Sequence, residues 1–493
     1  MARRKPSAKP KRQKNPRRTK SRPTLPTNLD SLRQLADWLL PVGIFAKLRL
    51  HGNTKWLPTH LVFLAFVWTW TEARCLTDAF TQASEVARPL FGLPVVRSYQ
   101  GFMRALVTWS PTLVRLTLDL VRQRMEEIGG RWWRIDGWVP IAFDGSRSSA
   151  PRTRSNEAEF CAANHGKGKT AKYRKKTTKG MRRKQNAKNK PQPPAPQLWI
   201  TLMWHMGLRL PWAWRLGPSN ASERDDVMGM IGAEEFPEKA LFCGDAGFIG
   251  YPLWSEILEC GHQFLVRVGA NVHLQVESEK GRWVKEGRDQ IVVCWPQDAQ
   301  RDGRPPLRLR LIRTRINRTE VWLLTSVLDR TQLTLVQSVR LYKLRWGIEL
   351  EFRGLKQTLD RAELRCRTAE RVRVELDWSL LGLAVAELLA LKEQLTTRAE
   401  RGTKDLPSRR SLSGTMRALR WCLRNRRESV ESGRSVSDRL REAVQDEYER
   451  RSSKRARYRP ANPDKKPLGD PKPRVLTAEE REKLRKIGAD HAK

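Results

Sequence analysis

Asp144 follows the apolar run Pro140-Ile-Ala-Phe and precedes Gly145-Ser146-Arg147, while Asp245 follows Leu241-Phe-Cys-Gly and precedes Ala246-Gly247-Phe248. Both sit where a short strand should end. An Asp before a turn residue is also an ordinary turn former, and Asp136, before Gly137, is read that way because Trp132-Trp-Arg-Ile is a weaker strand. A third acid comes with neighbours. Relative to Tyr342, residues Arg345, Glu349 and Lys356 stand at offsets of 3, 7 and 14, so on one helix at about 100° per residue they fall within a sector of roughly 60°. That face carries a phenol, two cations and an acid. Glu351 falls on the opposite side and reads as a solvated-face residue. Three separated carboxylates suit two divalent cations about 4 Å apart, which activate an attacking oxygen and stabilise the leaving oxygen of a phosphodiester. Oxygen ligands select Mg²⁺ or Mn²⁺. Arg345 and Lys356 would offset phosphate charge, Tyr342 would hydrogen-bond a phosphate oxygen, and Trp346 reads equally as a core aromatic or as a platform for an unpaired base.

These residues need a scaffold, and apolar periodicity supplies one. Leu32, Leu35, Ala36 and Leu39, then Leu113, Leu116, Leu120 and Val121, recur at helical spacing between about residues 29 and 127. Short strand-like runs follow at Pro140 to Phe143, Gln197 to Trp204, Trp212 to Leu216, Ala240 to Cys243 and Gln263 to Val268. A further strand-rich block at 271–328, broken by Gly, Pro and Asp turns, reads as a β insertion. Helical periodicity returns at Thr331 to Asp360 and at Val372 to Gln394.

The partner is written in the charge. The chain has 493 residues, with 95 Lys and Arg against 53 Asp and Glu, a formal charge of +42. Such a chain repels itself without a polyanion, and nucleic acid is the natural one. Residues 1–22 hold eleven Lys and Arg and no acid, 151–192 hold fourteen against two, and 450–474 hold ten against two. These stretches lack apolar periodicity and read as disordered alone, gripping phosphates by counterion release. The longest apolar run, Leu61 to Trp70, is about half a bilayer span, and no leader is visible, so neither membrane nor export is expected. Seven scattered cysteines without a Cys-x-x-Cys pair suggest a reducing cytosol and neither disulfides nor zinc.

Tyr342-x2-Arg345-x3-Glu349-x6-Lys356 resembles, in spacing and identity, the signature of DDE transposases of the insertion-sequence-4 group. Phe143-Asp144-Gly145-Ser146 resembles that group's first-Asp motif, Gly244-Asp245-Ala246-Gly247-Phe248 its second, and Leu323-Leu-Thr325 and Leu364-Arg-Cys-Arg-Thr its flanks. The resemblance covers about residues 135–395. It implies an α/β fold: a ribonuclease-H-like catalytic core interrupted by a β-rich insertion, with a helical N-terminal domain and basic disordered tails. The corresponding organisation is a basic arm at 1–24, a DNA-binding helical domain at 25–130, and core segments at 131–270 and 329–397. A basic disordered insertion at 151–195, a β-rich insertion domain at 271–328 and a basic, partly disordered C-terminal region at 398–493 complete it. The resemblance also implies the reaction: hydrolytic nicking of each transposon end, then attack of the freed 3′-hydroxyl on the opposite strand, through a hairpin in the best understood members. Asp144, Asp245 and Glu349 would ligate two Mg²⁺ or Mn²⁺ ions. Tyr342, Arg345 and Lys356 would hold the terminal phosphate, and Arg267, in Phe264-Leu-Val-Arg, looks like a further DNA contact. Partners would be double-stranded DNA, as terminal inverted repeats and target, and a second copy of the chain on paired ends in the bacterial cytosol or nucleoid. The competing expectations are a basic nucleic-acid-binding protein without catalysis and a metal-dependent nuclease of the same fold.

Overall fold

The computed structural model describes residues 26–41, 43–51, 54, 56–91, 96–161, 195–276, 289–316, 319–398, 410–428, 430, 435–444 and 468–490. The basic stretches expected at 1–24, most of 151–195 and most of 450–474 lie outside the described residues.

Four helices open the chain: α1 (Asn28–Leu39), α2 (Pro58–Trp70), α3 (Leu76–Phe91) and α4 (Tyr99–Gly129). α2 is apolar around its whole circumference, and Leu61 through Trp70 are all buried. Each large apolar side chain so enclosed contributes about 1.5–3 kcal/mol. Among the described residues no helix is long and apolar enough to cross a membrane.

The covering partner of α2 is α11 (Ala369–Arg398), itself buried on all sides along most of its length. Trp70 Nε1 donates to the Gly382 carbonyl at 2.8 Å, and Trp378 Nε1 donates to Ser110 Oγ of α4 at 2.7 Å. The expected N-terminal domain is thus helical, but its helices share one continuous core with the second half of the chain.

One sheet of ten strands carries the rest, in the order β10-β6-β7-β8-β9-β5-β4-β1-β2-β3. Its centre comprises β1 (Val139–Ser149), β2 (Gln197–His205), β3 (Leu210–Gly217), β4 (Ala240–Gly244) and β5 (Gln263–Val268). β1 runs antiparallel to β2 and parallel to β4, and β4 runs parallel to β5. Helices α6 (Glu223–Ile231) and α7 (Tyr251–Glu259) make the crossovers, as parallel neighbours require.

The block expected as a separate β insertion instead extends this sheet. β6 (Gln275–Val276), β7 (Asp289–Cys294), β8 (Leu307–Ile316) and β9 (Thr319–Thr325) join it through the antiparallel pairing of β9 on β5. Buried Arg310 of β8 fastens the join: its guanidinium meets Asp289 at 3.0 Å and donates to the carbonyl of Val327 at 3.1 Å. A short helix, α8 (Gln297–Arg301), links β7 to β8, and β10 (Arg474–Val475), followed by α14 (Ala478–Asp490), covers the edge at β6.

Two expected disordered stretches are partly structured. Within 151–195, α5 (Arg154–Phe160) buries Asn156 and Phe160, and Asn156 donates to the carbonyls of Pro151 and Cys366. Within 398–493, α12 (Leu412–Arg424) and α13 (Val436–Arg441) pack Met416, Leu419, Cys422 and Leu440 into the common core.

Candidate active site

Strand register assembles the first half of the site. β1 pairs with β4 through Ala142 opposite Cys243, and β4 pairs with β5 through Gly244 opposite Val266. Continuing both registers by one or two residues aligns Asp144, Asp245 and Arg267 in one row across three parallel strands. This row lies at the carboxyl end of β4, where open α/β sheets present their binding crevices. Asp245 stands just beyond its strand, as expected from the sequence. Asp144 does not: it lies mid-strand, because β1 continues to Ser149 on its pairing with β2 after β4 has ended. The Asp136 turn is a turn, with φ of 54° and an ion pair to Arg340.

The second half comes from residues 335–358, which do not form the single helix inferred from their spacing. α9 (Leu335–Leu344) starts at a Thr334/Gln337 capping box and stops before Arg345. α10 (Gly347–Arg353) follows, and the chain then widens into a π-helical turn at Gly354–Thr358. Uniform 100° projection therefore fails across the segment. The side chains still meet at the row of strand residues. Tyr342 is buried, and its hydroxyl is pushed up by burial, an effect opposed by the charges of Arg345 and Arg267 and reinforced by Asp245. Arg345, only 4 % exposed, places Nη1 3.8 Å from Asp144 Oδ2, and its guanidinium lies over the Tyr342 and Trp346 rings at 5.5 and 5.6 Å. Its Nε is buried with no hydrogen-bond partner among the described residues. Lys356, set by the π turn, donates to Ser146 Oγ of β1 at 2.6 Å, and π turns of this kind recur at functional sites. Glu349 is exposed, and Trp346 is 52 % exposed, so it is not the core aromatic that one reading of the sequence allowed.

Electrostatics bind the set together. The Asp144 carboxyl is raised by burial, held back by the Gly145 amide and by Arg345, and raised further by Asp245 and Glu349. Three carboxylates thus share one neighbourhood lined by Arg345, Arg267 and Lys356, a combination suited to phosphate and hard cations. Among the described residues, no three His, Cys, Asp or Glu side chains close tightly enough to hold a single metal ion. Oxygen donors arranged this way suit ions that each bridge two acids better than one ion held by all three.

Glu351 corrects the sequence reading. Far from being solvated, it is 4 % exposed and faces Glu387 of α11 and Arg410 beneath α10. A fourth acid near the site, Glu223 at the start of α6, escaped the sequence reading. Its carboxyl is pushed up to about 7 by burial and by the charges of Asp144 and Asp245, with Arg147 opposing. The Ser-x-x-Asp start of a helix, Ser222 to Asp225, was its only local signal.

Gly347 seats the Glu349 helix. A β-carbon there would lie 2.2 Å from Cη2 of Trp204, a fully buried β2 side chain with no room to retreat. Gly347→Ala should therefore cost about 1–3 kcal/mol of stability, read as a lower urea midpoint, and should displace Glu349 two residues later.

Residues 216–384 match the family model described as "Transposase DDE domain". The chain is 28% identical over 184 residues to a Sinorhizobium fredii protein named "Putative transposase y4zB", an alignment that takes in 36% of this chain and 50% of that protein. The chain therefore spans about half the length of that curated relative. Among solved structures, the piggyBac transposase synaptic complex with hairpin DNA aligns over 85% of this chain and 84% of its own, with 14% identity and a TM-score of 0.37, too low to assign a fold.

Proposed function

We propose that this chain is a DNA transposase that cleaves the ends of a mobile element and joins them to a target by attack of a 3′-hydroxyl. The observation carrying this reading is the convergence of Asp144, Asp245 and Glu349 with Arg267, Tyr342, Arg345 and Lys356, inside and beside a segment matching a transposase DDE domain. The strand order β3-β2-β1-β4-β5, with β2 antiparallel, supports a ribonuclease-H-like core as the scaffold.

In this reading Asp144, Asp245 and Glu349 hold two divalent cations, Mg²⁺ or Mn²⁺. Bound there, such ions supply an activated attacking oxygen and charge neutralisation at the leaving oxygen. The protein's own groups do the positioning. Arg345, preorganised between Tyr342 and Trp346, offers its unpaired Nε and fork to the scissile phosphate. Arg267 and Lys356 flank that phosphate from β5 and from the π turn, and Tyr342 donates to one of its oxygens. Trp346, outermost, offers a stacking surface for a displaced base. Duplex DNA is the substrate, and two copies of the chain pair the two ends.

Arg345→Lys keeps the charge but loses the fork and the stacking. Affinity for a transposon-end duplex should fall about tenfold or more, the equivalent of one charge-assisted hydrogen bond, as read by a gel-shift titration at fixed salt. The reading as a whole is tested by strand transfer: an end duplex already carrying a free 3′-hydroxyl is incubated with a plasmid, protein and Mg²⁺. Joined product, lost when the 3′ end is dideoxy-blocked, is the expected result. Cleavage without joining would make the chain a nuclease, and binding without either would make it a DNA-binding protein.

A further inference from the structure

We propose that Glu223 is a fourth carboxylate of the metal centre, acting on the same cation as Asp144 and Asp245. The inference rests on the reading above and adds a residue to it.

Alternation along β1 turns Gly145 away from the side on which Asp144 lies. The face it turns to is covered by α6, where Thr201, paired with Gly145, donates to Asp226 at 2.8 Å. At Gly145 the missing side chain leaves a hollow, and Glu223 fills it. A β-carbon on Gly145 would lie 2.3 Å from Glu223 Oε1 and 2.5 Å from its Cδ. Any other residue after Asp144 would expel that carboxyl from its seat against the strand. The Asp-Gly pair thus does more than end a strand: the Asp supplies one acid and the Gly admits another from the opposite face.

The seat has a cost without a cation. Glu223 is half-buried and within the charge field of Asp144 and Asp245, whose own neighbours include Glu349. Four acids around one end of the sheet face Arg345 and Arg147 as the cations acting on Asp144 and Glu223. Arg147 is itself drawn 4.2 Å over the Trp199 ring. A helix start favours acids in its first turn, but Asp225 and Asp226 already serve α6 in that way. Neither reaches the row of site residues. A divalent ion beside Asp144 offsets the repulsion that the Glu223 seat creates, which a helix-start role leaves unexplained.

The test uses the full chain. Mn²⁺ is titrated calorimetrically into wild type, Glu223→Gln, Asp144→Asn and Asp225→Asn, and thermal midpoints are taken in EDTA and in saturating Mn²⁺. Glu223→Gln should weaken Mn²⁺ binding about tenfold or more while raising the midpoint in EDTA, because a repelling charge has gone. Asp225→Asn should match wild type in Mn²⁺ affinity. Wild-type affinity in Glu223→Gln, with binding weakened in Asp144→Asn, would overturn the role of Glu223 and leave the metal centre standing. A wild type that binds no Mn²⁺, or an Asp144→Asn that binds as wild type does, would overturn both. A lower midpoint in EDTA with unchanged affinity would reduce Glu223 to a support of α6.

Discussion

Asp144→Asn should abolish end cleavage, by about a thousandfold or more, while leaving the fold at least as stable as wild type. The two halves of that result have one cause. The Asp144 carboxyl is raised by burial and by Asp245 and Glu349, and only the Gly145 amide, at 2.8 Å, and Arg345, at 3.8 Å, oppose this. As an anion it is therefore uncomfortable in the metal-free protein, and the neutral amide relieves that strain without changing shape. The same anion is what a divalent cation needs. Losing it removes several kcal/mol of charge stabilisation in the transition state, and about 4 kcal/mol corresponds to a thousandfold in rate. Cleavage of a labelled end in Mg²⁺, beside a thermal melt in EDTA, checks both. A melt lowered together with activity would mean that Asp144 is structural.

Arg410→Met should be the most destabilising single change near the site, costing about 3–5 kcal/mol, as removal of one partner from a buried charged cluster does. Arg410 lies between β2 and α11: it donates to the carbonyl of Leu208 at 3.1 Å and to that of Arg209, and its Nε approaches Glu387 Oε1 at 3.5 Å. Glu387 in turn faces Glu351, and both are enclosed. Burial, then the charge of Glu387 and a hydrogen bond to it, raise the Glu351 carboxyl well above its ordinary 4.5. Methionine leaves the pair without its cation, and adding Glu387→Gln should restore part of the lost stability. Glu351 also sets a pH dependence. Above its ordinary value the unfolded chain releases this proton while the native chain keeps it, so stability is full below about pH 4.5 and declines as pH rises towards the native pKa. In Glu351→Gln that decline should disappear, measured as urea midpoints from about pH 5 to about pH 8.

Much of this was legible before any coordinates. Alternation located the central strands within a few residues, because half-buried strands must alternate or run apolar. It could not reveal that β1 outlasts β4, since only the pairing of Asp144 with Leu202 of β2 makes residues 144–149 a strand. The Tyr-Arg-Glu-Lys spacing identified the right residues on a wrong premise: the segment breaks at Arg345 and widens at Gly354. Opposition of Glu349 and Glu351 survived those breaks because only two residues separate them, but the far face proved to be buried under α11 and Arg410 rather than wet. α12 was hidden by arginines interleaved with Met416, Leu419 and Cys422, which made a packed helix read as a basic tail. Glu223 was invisible because its link to Asp144 passes through space left by a glycine, and spacing along the chain carries no trace of it.

The central claim is that Glu349, not its neighbour two residues on, completes the acidic site. Its most direct measurement is cleavage of a labelled transposon-end duplex in Mg²⁺ by wild type, Glu349→Gln and Glu351→Gln side by side. Wild type and Glu351→Gln should cut, because glutamine mimics the protonated acid that Glu351 already is, and Glu349→Gln should leave the duplex intact. Cleavage by Glu349→Gln, or its loss in Glu351→Gln alone, would contradict the account.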